Sequence, residues 1–407
     1  MFDKRDGIFF GVLLACALWC VVSDTSPKNT LDLNQYTLIP ALSPTDSYKD
    51  TSNTLHYFDI PNTQASAHAS AIANVRGVSG RDFMLLYFAG SREGARDVGI
   101  YQSFFTFKAN DKNLGAWSKP TRLLDAQMLS KLSGKFIKKL GNPIAFVDTQ
   151  GRAHLFVVGV SMGGWATSKL YWLRFDSTLQ RLSFVKELYL SPFFNLSHLV
   201  RTPPMLKSDG GFILPIYHEL ARKYPLLLDF SPDLRLDSVY KPLGLHSQLQ
   251  PSFIAIEPHA SVGIYRNHKA YNNTLFVSQC RQICKAPQAS NMRNFDSSSV
   301  LFGALDSIYM LHNQTQRERG NKREELWIMR LDRASLDSGQ ELGQEVTFKP
   351  ILKLDTLLDS EVSYPSVAVG DGVVAIAYTY GRRHIRVAFV PKGRLDTSRQ
   401  ATQEAKE

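Results

Sequence analysis

The sequence is poor in cysteine. Four of its 407 residues are cysteines, and two of them, Cys16 and Cys20, fall in the first 23 residues. That excludes a small fold held together by disulfides. Cys280 and Cys284 remain, close enough for a small-loop disulfide in an oxidising compartment, or present as two reduced thiols. No His or Cys pair stands near them to complete a zinc site, so no metal or other cofactor is called for. Long apolar runs are also scarce: none beyond residue 22 is long enough to span a bilayer as a helix. The net charge is +10, yet no block of Lys and Arg and no nucleic-acid motif accompanies it. Nucleic acid is therefore set aside as a partner, and an acidic glycan or polysaccharide is the expected counterpart of the basic surface.

The N-terminus carries a targeting segment. Lys4 and Arg5 precede an apolar run at 8–22, and Val21 and Ser23 suit cleavage before Asp24. The run reads as a signal peptide or a signal anchor over 1–23. The mature chain is expected to be exported, to the periplasm or the exterior, touching membrane only through this segment. Residues 24–55 are polar and proline-containing, a linker or N-terminal strap. Residues 394–407 form a polar tail.

Between 56 and 393 the pattern is of short apolar strands separated by Gly, Asp, Asn or Pro turns, with 24 Phe, 16 Tyr and 5 Trp overall. These residue types favour half-buried strands, and the even spacing signals an all-β fold. A weak repeat recurs in NDKNLGAWSKPTRLLD, FDSTLQRLSFVKEL, FSPDLRLDSVYKPLG and LDSGQELGQEVTFKPILKLD. Its spacing of roughly 50–60 residues falls in the range of propeller blades. The single helical candidate is 125–140, with Met128, Leu129, Leu132, Phe136 and Leu140 near helical spacing and lysines opposite.

The chemistry gathers in EVSYPSVAVGDGVVAIAYTYGRRHIRVAFV. There Tyr364 lies near Glu361, and Arg382 and Arg383 follow one strand later. A carboxylate raises the nucleophilicity of a phenol, and arginines hold a substrate carboxylate by paired hydrogen bonds. Such a set suits an anionic sugar. Read more plainly, the same residues start a core strand and form a solvated hairpin.

Five ordered blocks resemble the BNR-repeat, sialidase-like family, often labelled predicted neuraminidases. HASAI at 68–72 leads to LLYFAGSREGARDVGIY at 85–101, and GNPIAF follows at 141–146. RTPPMLKSDGGFILPIYHEL spans 201–220, and LQPSFI at 249–254 runs toward IYRN at 264–267. MRNFDSSSVLFGALDSIYMLHN at 292–313 then precedes the Tyr364 block. The resemblance implies a six-bladed β-propeller of the sialidase type, with the site at one mouth of its channel. It also implies a nucleophile pair, Tyr364 with Glu361, an acid/base at Asp97, and Arg266 with Arg382 or Arg383 on the substrate carboxylate. The chain departs from true sialidases in two respects: the first arginine of the Phe-Arg-Ile-Pro motif is absent, with His68 in its segment, and the repeat turns lack the full Ser-x-Asp-x-Gly-x-Thr-Trp form.

Several further residues qualify on their own placement. His68 suits a general acid or base near neutral pH, a sugar-hydroxyl ligand, or a strand-end brace. Arg92, Glu93, Arg96 and Asp97 are dense charge inside an apolar hairpin. His218 and Glu219 end an apolar strand as a substrate-facing pair would. Asn142, Arg201 and Gln250 each begin a strand beside a proline, where they line a mouth or cap a turn. Asn294 and Ser298 complete the set. Three functions remain open: a sialidase-like glycoside hydrolase, a polysaccharide lyase on a uronic-acid polymer using His68 or Tyr364, and a non-catalytic glycan-binding propeller.

Overall fold

Six antiparallel sheets follow one another around a ring in a computed structural model, which describes residues 11, 31–33, 35, 37–42, 54–108, 114–191, 195–242, 244, 246–315, 321–338 and 345–396. Apart from residue 11, the expected targeting run at 8–22 lies outside the described residues, as does the end of the tail at 397–407. Among the described residues no helix is long and apolar enough to cross a membrane.

Blade 1 is built from Ser66–Asn74, Phe83–Gly90, Gly99–Phe107 and Gly115–Trp117, with Thr121–Asp125 on the same sheet. Blade 2 runs Lys139–Val147, Ala153–Val160, Ser168–Phe175 and Leu182–Glu187. In blade 3 the inner edge is split into His198–Val200 and Met205–Leu206, followed by Phe212–His218, Tyr224–Phe230 and Leu236–Tyr240. Blade 4 comprises Gln248–Glu257, Ala260–Asn267, Thr274–Cys280 and Gln288–Arg293, and blade 5 Val300–Ala304, Ser307–Asn313, Glu325–Leu331 and Phe348–Thr356. Blade 6 takes Val362–Val369, Val373–Tyr380 and His384–Pro391 from the end of the chain and His56–Ile60 from its beginning. The ring is thus closed by pairing the first described strand with the last, so the beginning of the chain supplies the outer strand of blade 6.

The sequence pattern follows from this stacking. A strand between two blades is covered on both faces, so it reads as continuous apolar chain rather than alternation. Phe83–Gly90 and Ala153–Val160 are buried at every position. Aromatic rings fill the wedges between blades, which widen outward. Phe105 packs against Phe389 across blades 1 and 6 at 4.6 Å, and Phe58 of the closing strand meets both, at 5.6 and 5.4 Å. Trp172, Phe212 and Phe230 do the same between blades 2 and 3. Turns of the degenerate repeats are braced by their own side chains. Asp176 accepts from the backbone of Gln180 and Arg181, and Ser231 Oγ from Arg235 N.

Two expectations are refined. The helix occupies Ala126–Ser133, not 125–140. Asp125 caps its start by accepting from Met128 N, and Gly134 ends it in the left-handed region at φ 67°. Leu140 therefore belongs to the inner strand of blade 2. The segment before the propeller acts as a strap. Leu31, Leu33 and Leu38 are buried, Leu38 N donates to Pro258 O, Ile39 N to Leu206 O, and Ala41 N to Ala255 O. It passes so close to blade 5 that a Cβ on Gly303 would stand 2.5 Å from Ala41 O. Cys280 and Cys284 are joined by a disulfide.

If Phe58 locks the ring, Phe58→Ala should cost about 2–4 kcal/mol in urea unfolding, as the loss of a large packed ring does. A cost below about 0.5 kcal/mol, the range of ordinary surface substitutions, would show that the closing strand contributes little.

Candidate active site

The inner strands all begin at the same mouth, and five of the six blades lose register just after that start. In blade 6, Tyr364 and Pro365 together oppose the single residue Tyr378. In blade 4, Gln250 and Pro251 oppose Tyr265, and in blade 2 Gly141 and Asn142 oppose Val158. In blade 1, Ala69 and Ser70 oppose Tyr87, and in blade 3 the ladder is interrupted between Val200 and Met205, where Arg201 sits. A bulge re-aims a side chain. Tyr364, Gln250 and Ala69 take positive φ, at 53°, 43° and 53°. For residues with a Cβ this is strained, and strain of about 1–3 kcal/mol is kept only where the surroundings over-determine it.

At Tyr364 the restraint is Arg201. This guanidinium is 2% exposed and joins three blades: Nη1 donates to Ser70 O at 2.9 Å, and Nη2 to Tyr364 O at 2.5 Å and Pro365 O at 2.8 Å. Burial lowers its pKa to about 10, still a cation at neutral pH. No ion pair neutralises it among the described residues. The Tyr364 ring lies 5.3 Å from Arg201, and 5.9 Å from both Arg266 and Arg323.

The phenol is turned into a polar cleft shared with Arg266, Glu219, Gln250, Asn142, Glu93 and Trp165. Arg266 Nη1 donates to Tyr364 Oη at 2.9 Å. Its Nε donates to Asp296 Oδ1 at 2.7 Å. Burial works against the Arg266 charge, but Tyr364 and Asp296 outweigh it and raise its pKa. Glu219 enters from the loop after Phe212–His218, half-buried, and its carboxylate forms no ion pair among the described residues. Asn142 Nδ2 donates to Val200 O at 3.2 Å, and Gln250 Nε2 to Tyr217 Oη at 3.4 Å.

Other candidates form a layer behind the cleft. Glu361 gives one carboxylate oxygen to Arg323 at 3.2 Å and the other to Arg382. Its oxygens are thus engaged by two guanidiniums, and Tyr364 finds its hydrogen bond with Arg266 instead. Arg382 also donates to Glu93 at 2.6 Å. His68 is 1% exposed, packs on the Tyr364 ring at 4.3 Å and shares a 2.9 Å hydrogen bond with Thr379 through Nδ1. Burial first, then Arg382, Arg201, Arg323 and Arg266, hold its pKa well below the usual range, so it is neutral.

A third group lies away from the cleft. Arg92 and Arg383 are exposed on rim loops. Asp97 shares the rim loop of Arg92 but accepts from Ser91 N and Oγ at 2.8 and 2.9 Å; the Ser91 hydroxyl chiefly lowers its pKa. His218 faces a different pocket. Asn294 is buried, accepting from Asn267 N and Ser297 N, and Ser298 is buried beside it. Four contributors were not singled out from sequence: Arg323, Asp296, Trp165 and Tyr217. Asp296 lies inside the MRNFDSSS block, where its positive φ of 54° is the kind Asp tolerates. Arg323 follows a polar loop with no motif of its own.

The sequence matches the BNR repeat-like domain family over residues 81–376. The chain belongs to that family. No curated protein matches it. Among solved structures, a Hadza microbial sialidase, Hz136, aligns with a TM-score of 0.57 at 14% identity, over 81% of this chain and 66% of its own. The sialidase of Trypanosoma rangeli aligns at 0.55 and 12%, over 91% of this chain and 62% of its own. A Dyadobacter fermentans protein of unknown function aligns at 0.60 and 10%, over 87% and 100%. The chain spans about two thirds of the length of the sialidases it matches. The BNR-repeat protein shares with them the six-bladed, sialidase-type propeller.

Arg201→Met removes the donors to three carbonyls and should cost about 3 kcal/mol or more, since buried acceptors are left unsatisfied. Urea unfolding checks this; a change within about 0.5 kcal/mol would mean that the bulge holds without the guanidinium.

Proposed function

We propose that this BNR-repeat protein is an exported glycoside hydrolase acting on an acidic glycan, with Tyr364 as nucleophile. The observation that carries the reading is a strained tyrosine whose phenol oxygen faces an open cleft, hydrogen-bonded to Arg266 and sharing that cleft with the carboxylate of Glu219. Glu219 accepts the phenol proton as the oxygen attacks the anomeric carbon. The leaving-group oxygen takes a proton from Asp97, whose rim loop also carries Glu93 of the cleft lining and must fold over the bound glycan to bring it there, and a glycosyl–tyrosine intermediate forms. Water then attacks the same carbon with Asp97 as base, and Glu219 returns the proton to the phenolate. Ser91 keeps Asp97 ionised in the free protein, so the acid role requires the glycan to cover it. Arg266 is the cation nearest the reacting oxygen and the first contact for a substrate carboxylate. Glu361 acts here by positioning Arg382 and Arg323 rather than by meeting the phenol.

The lyase alternative draws less support. It needs a base for an α-proton, and His68 stands behind the Tyr364 ring with its Nδ1 engaged. Export is supported by the N-terminal apolar run and by the Cys280–Cys284 disulfide, which suits an oxidising compartment.

Tyr364→Phe should abolish turnover of aryl glycosides of acidic sugars, while Glu219→Gln should lower it by roughly 10²–10⁴-fold, the scale of general-base loss. Glu361→Gln should weaken both binding and stability. Steady-state kinetics and melting curves test this together. Activity retained in both Tyr364→Phe and Glu219→Gln rejects the hydrolase; an unsaturated, ultraviolet-absorbing product indicates the lyase.

A further inference from the structure

A second pocket, of about 430 Å³, opens beside the cleft at the top of blade 3. The two are built back to back. Successive residues at a strand end point to opposite sides: Glu219 lines the cleft and His218 the second pocket. His218 pairs with His198 on one side of its strand and with Tyr224 on the other. Both pairs lie at the strand ends that form the mouth, so both openings share one face of the ring.

The lining has a definite chemistry. The His218 and Tyr224 rings stack at 4.8 Å with 10° between their planes, and His198 meets His218 edge-on at 5.4 Å. Lys241 Nζ sits 3.9 Å from the centre of the Tyr224 ring and forms no ion pair among the described residues. His198 is 5% exposed, and its Nδ1 has no hydrogen-bond partner. His218 Nδ1 lies 3.1 Å from Arg222 O, so it carries a proton there and turns Nε2 away from that carbonyl. Burial, then His218, lowers the His198 pKa to about 4, so His198 is neutral. Leu226 and Val239 supply apolar wall, and no carboxylate lines the pocket. Imidazoles for hydroxyls, ring surface for C–H groups and one ammonium for an anion together match an acidic sugar. A purely apolar ligand would leave the imidazoles and the ammonium unpaired.

We propose that this pocket is a distal subsite for a second acidic sugar unit of the same glycan chain that enters the cleft. The inference rests on the hydrolase reading and narrows it: the substrate is an oligosaccharide or polymer of acidic sugars, not a lone terminal sugar. The loop 219–223 is the ridge over which the chain bends, held by Lys223 Nζ donating to Glu219 O at 3.0 Å.

The test titrates the full-length protein with α2,8-linked sialic acid chains of one to four units, by calorimetry, and follows their cleavage. In the unaltered protein affinity should rise at least about tenfold between one and three units, one 1.4 kcal/mol step. In Lys241→Gln the rise should vanish while affinity for the single unit stays the same. Lys241 is exposed, so the variant should keep its melting temperature. Tyr224→Phe should keep the rise, because the ring rather than the hydroxyl is stacked. A rise that persists in Lys241→Gln, or no rise in the unaltered protein, overturns the subsite. Failure of the hydrolase reading looks different: the chains bind with the expected length dependence and none is cleaved. If no chain binds at any length, both readings fall.

Discussion

The buried guanidinium of Arg201 is the interaction on which the site depends. It holds carbonyls of Ser70, Tyr364 and Pro365, and so ties the bulges of blades 1 and 6 to the interrupted strand of blade 3. Burying a cation without an ion pair is costly, and here the compensation is entirely backbone oxygen. The result is a fixed left-handed bend at a bulky residue that would otherwise relax into the ladder. The same cation stands near the Tyr364 ring without competing for its hydroxyl, which is left to Arg266.

Charge around the phenol is nearly balanced. Arg201, Arg266, Arg323 and Arg382 meet Glu93, Asp296, Glu361 and Glu219. Three of the acids are engaged by arginines, at Glu93–Arg382, Asp296–Arg266 and Glu361–Arg323 with Arg382. That leaves Arg201 and Glu219 without an ion pair among the described residues, one behind the tyrosine and one in the cleft. An anionic substrate would add to this balance, and Arg266 can meet it with the guanidinium N–H groups that Asp296 and Tyr364 do not use. A second pocket free of carboxylates, with an unpaired lysine, extends the attraction for anions away from the reacting centre.

Much of the propeller was legible because its strands are buried on both faces and its turns recur. Phe83–Gly90 and Val373–Tyr380 are plain apolar runs bounded by Gly or Asp. The helix was overextended because Phe136 and Leu140 keep helical spacing past Gly134, whose left-handed φ ends it. The mouth was legible through X-Pro: Asn142–Pro143, Gln250–Pro251 and Tyr364–Pro365 mark three of the bulges, and Arg201 precedes Pro203. Which unpaired carboxylate shares the cleft with Tyr364 was not legible. Glu361 is near in sequence, yet Arg323 and Arg382 claim it. Glu219 is far in sequence and arrives through the ring geometry. His218 and Glu219 read as one substrate-facing pair, and their alternation sends them to different pockets.

The central claim is that Tyr364 carries the sugar through a covalent intermediate. A 2,3-difluorinated sialic acid slows departure of the glycosyl group, so the intermediate should accumulate. Digestion and mass spectrometry after incubation with the full-length protein should then find a single glycosyl adduct, on Tyr364, and none in Tyr364→Phe. An adduct on another residue, or turnover of acidic glycosides with no adduct at all, would contradict the account.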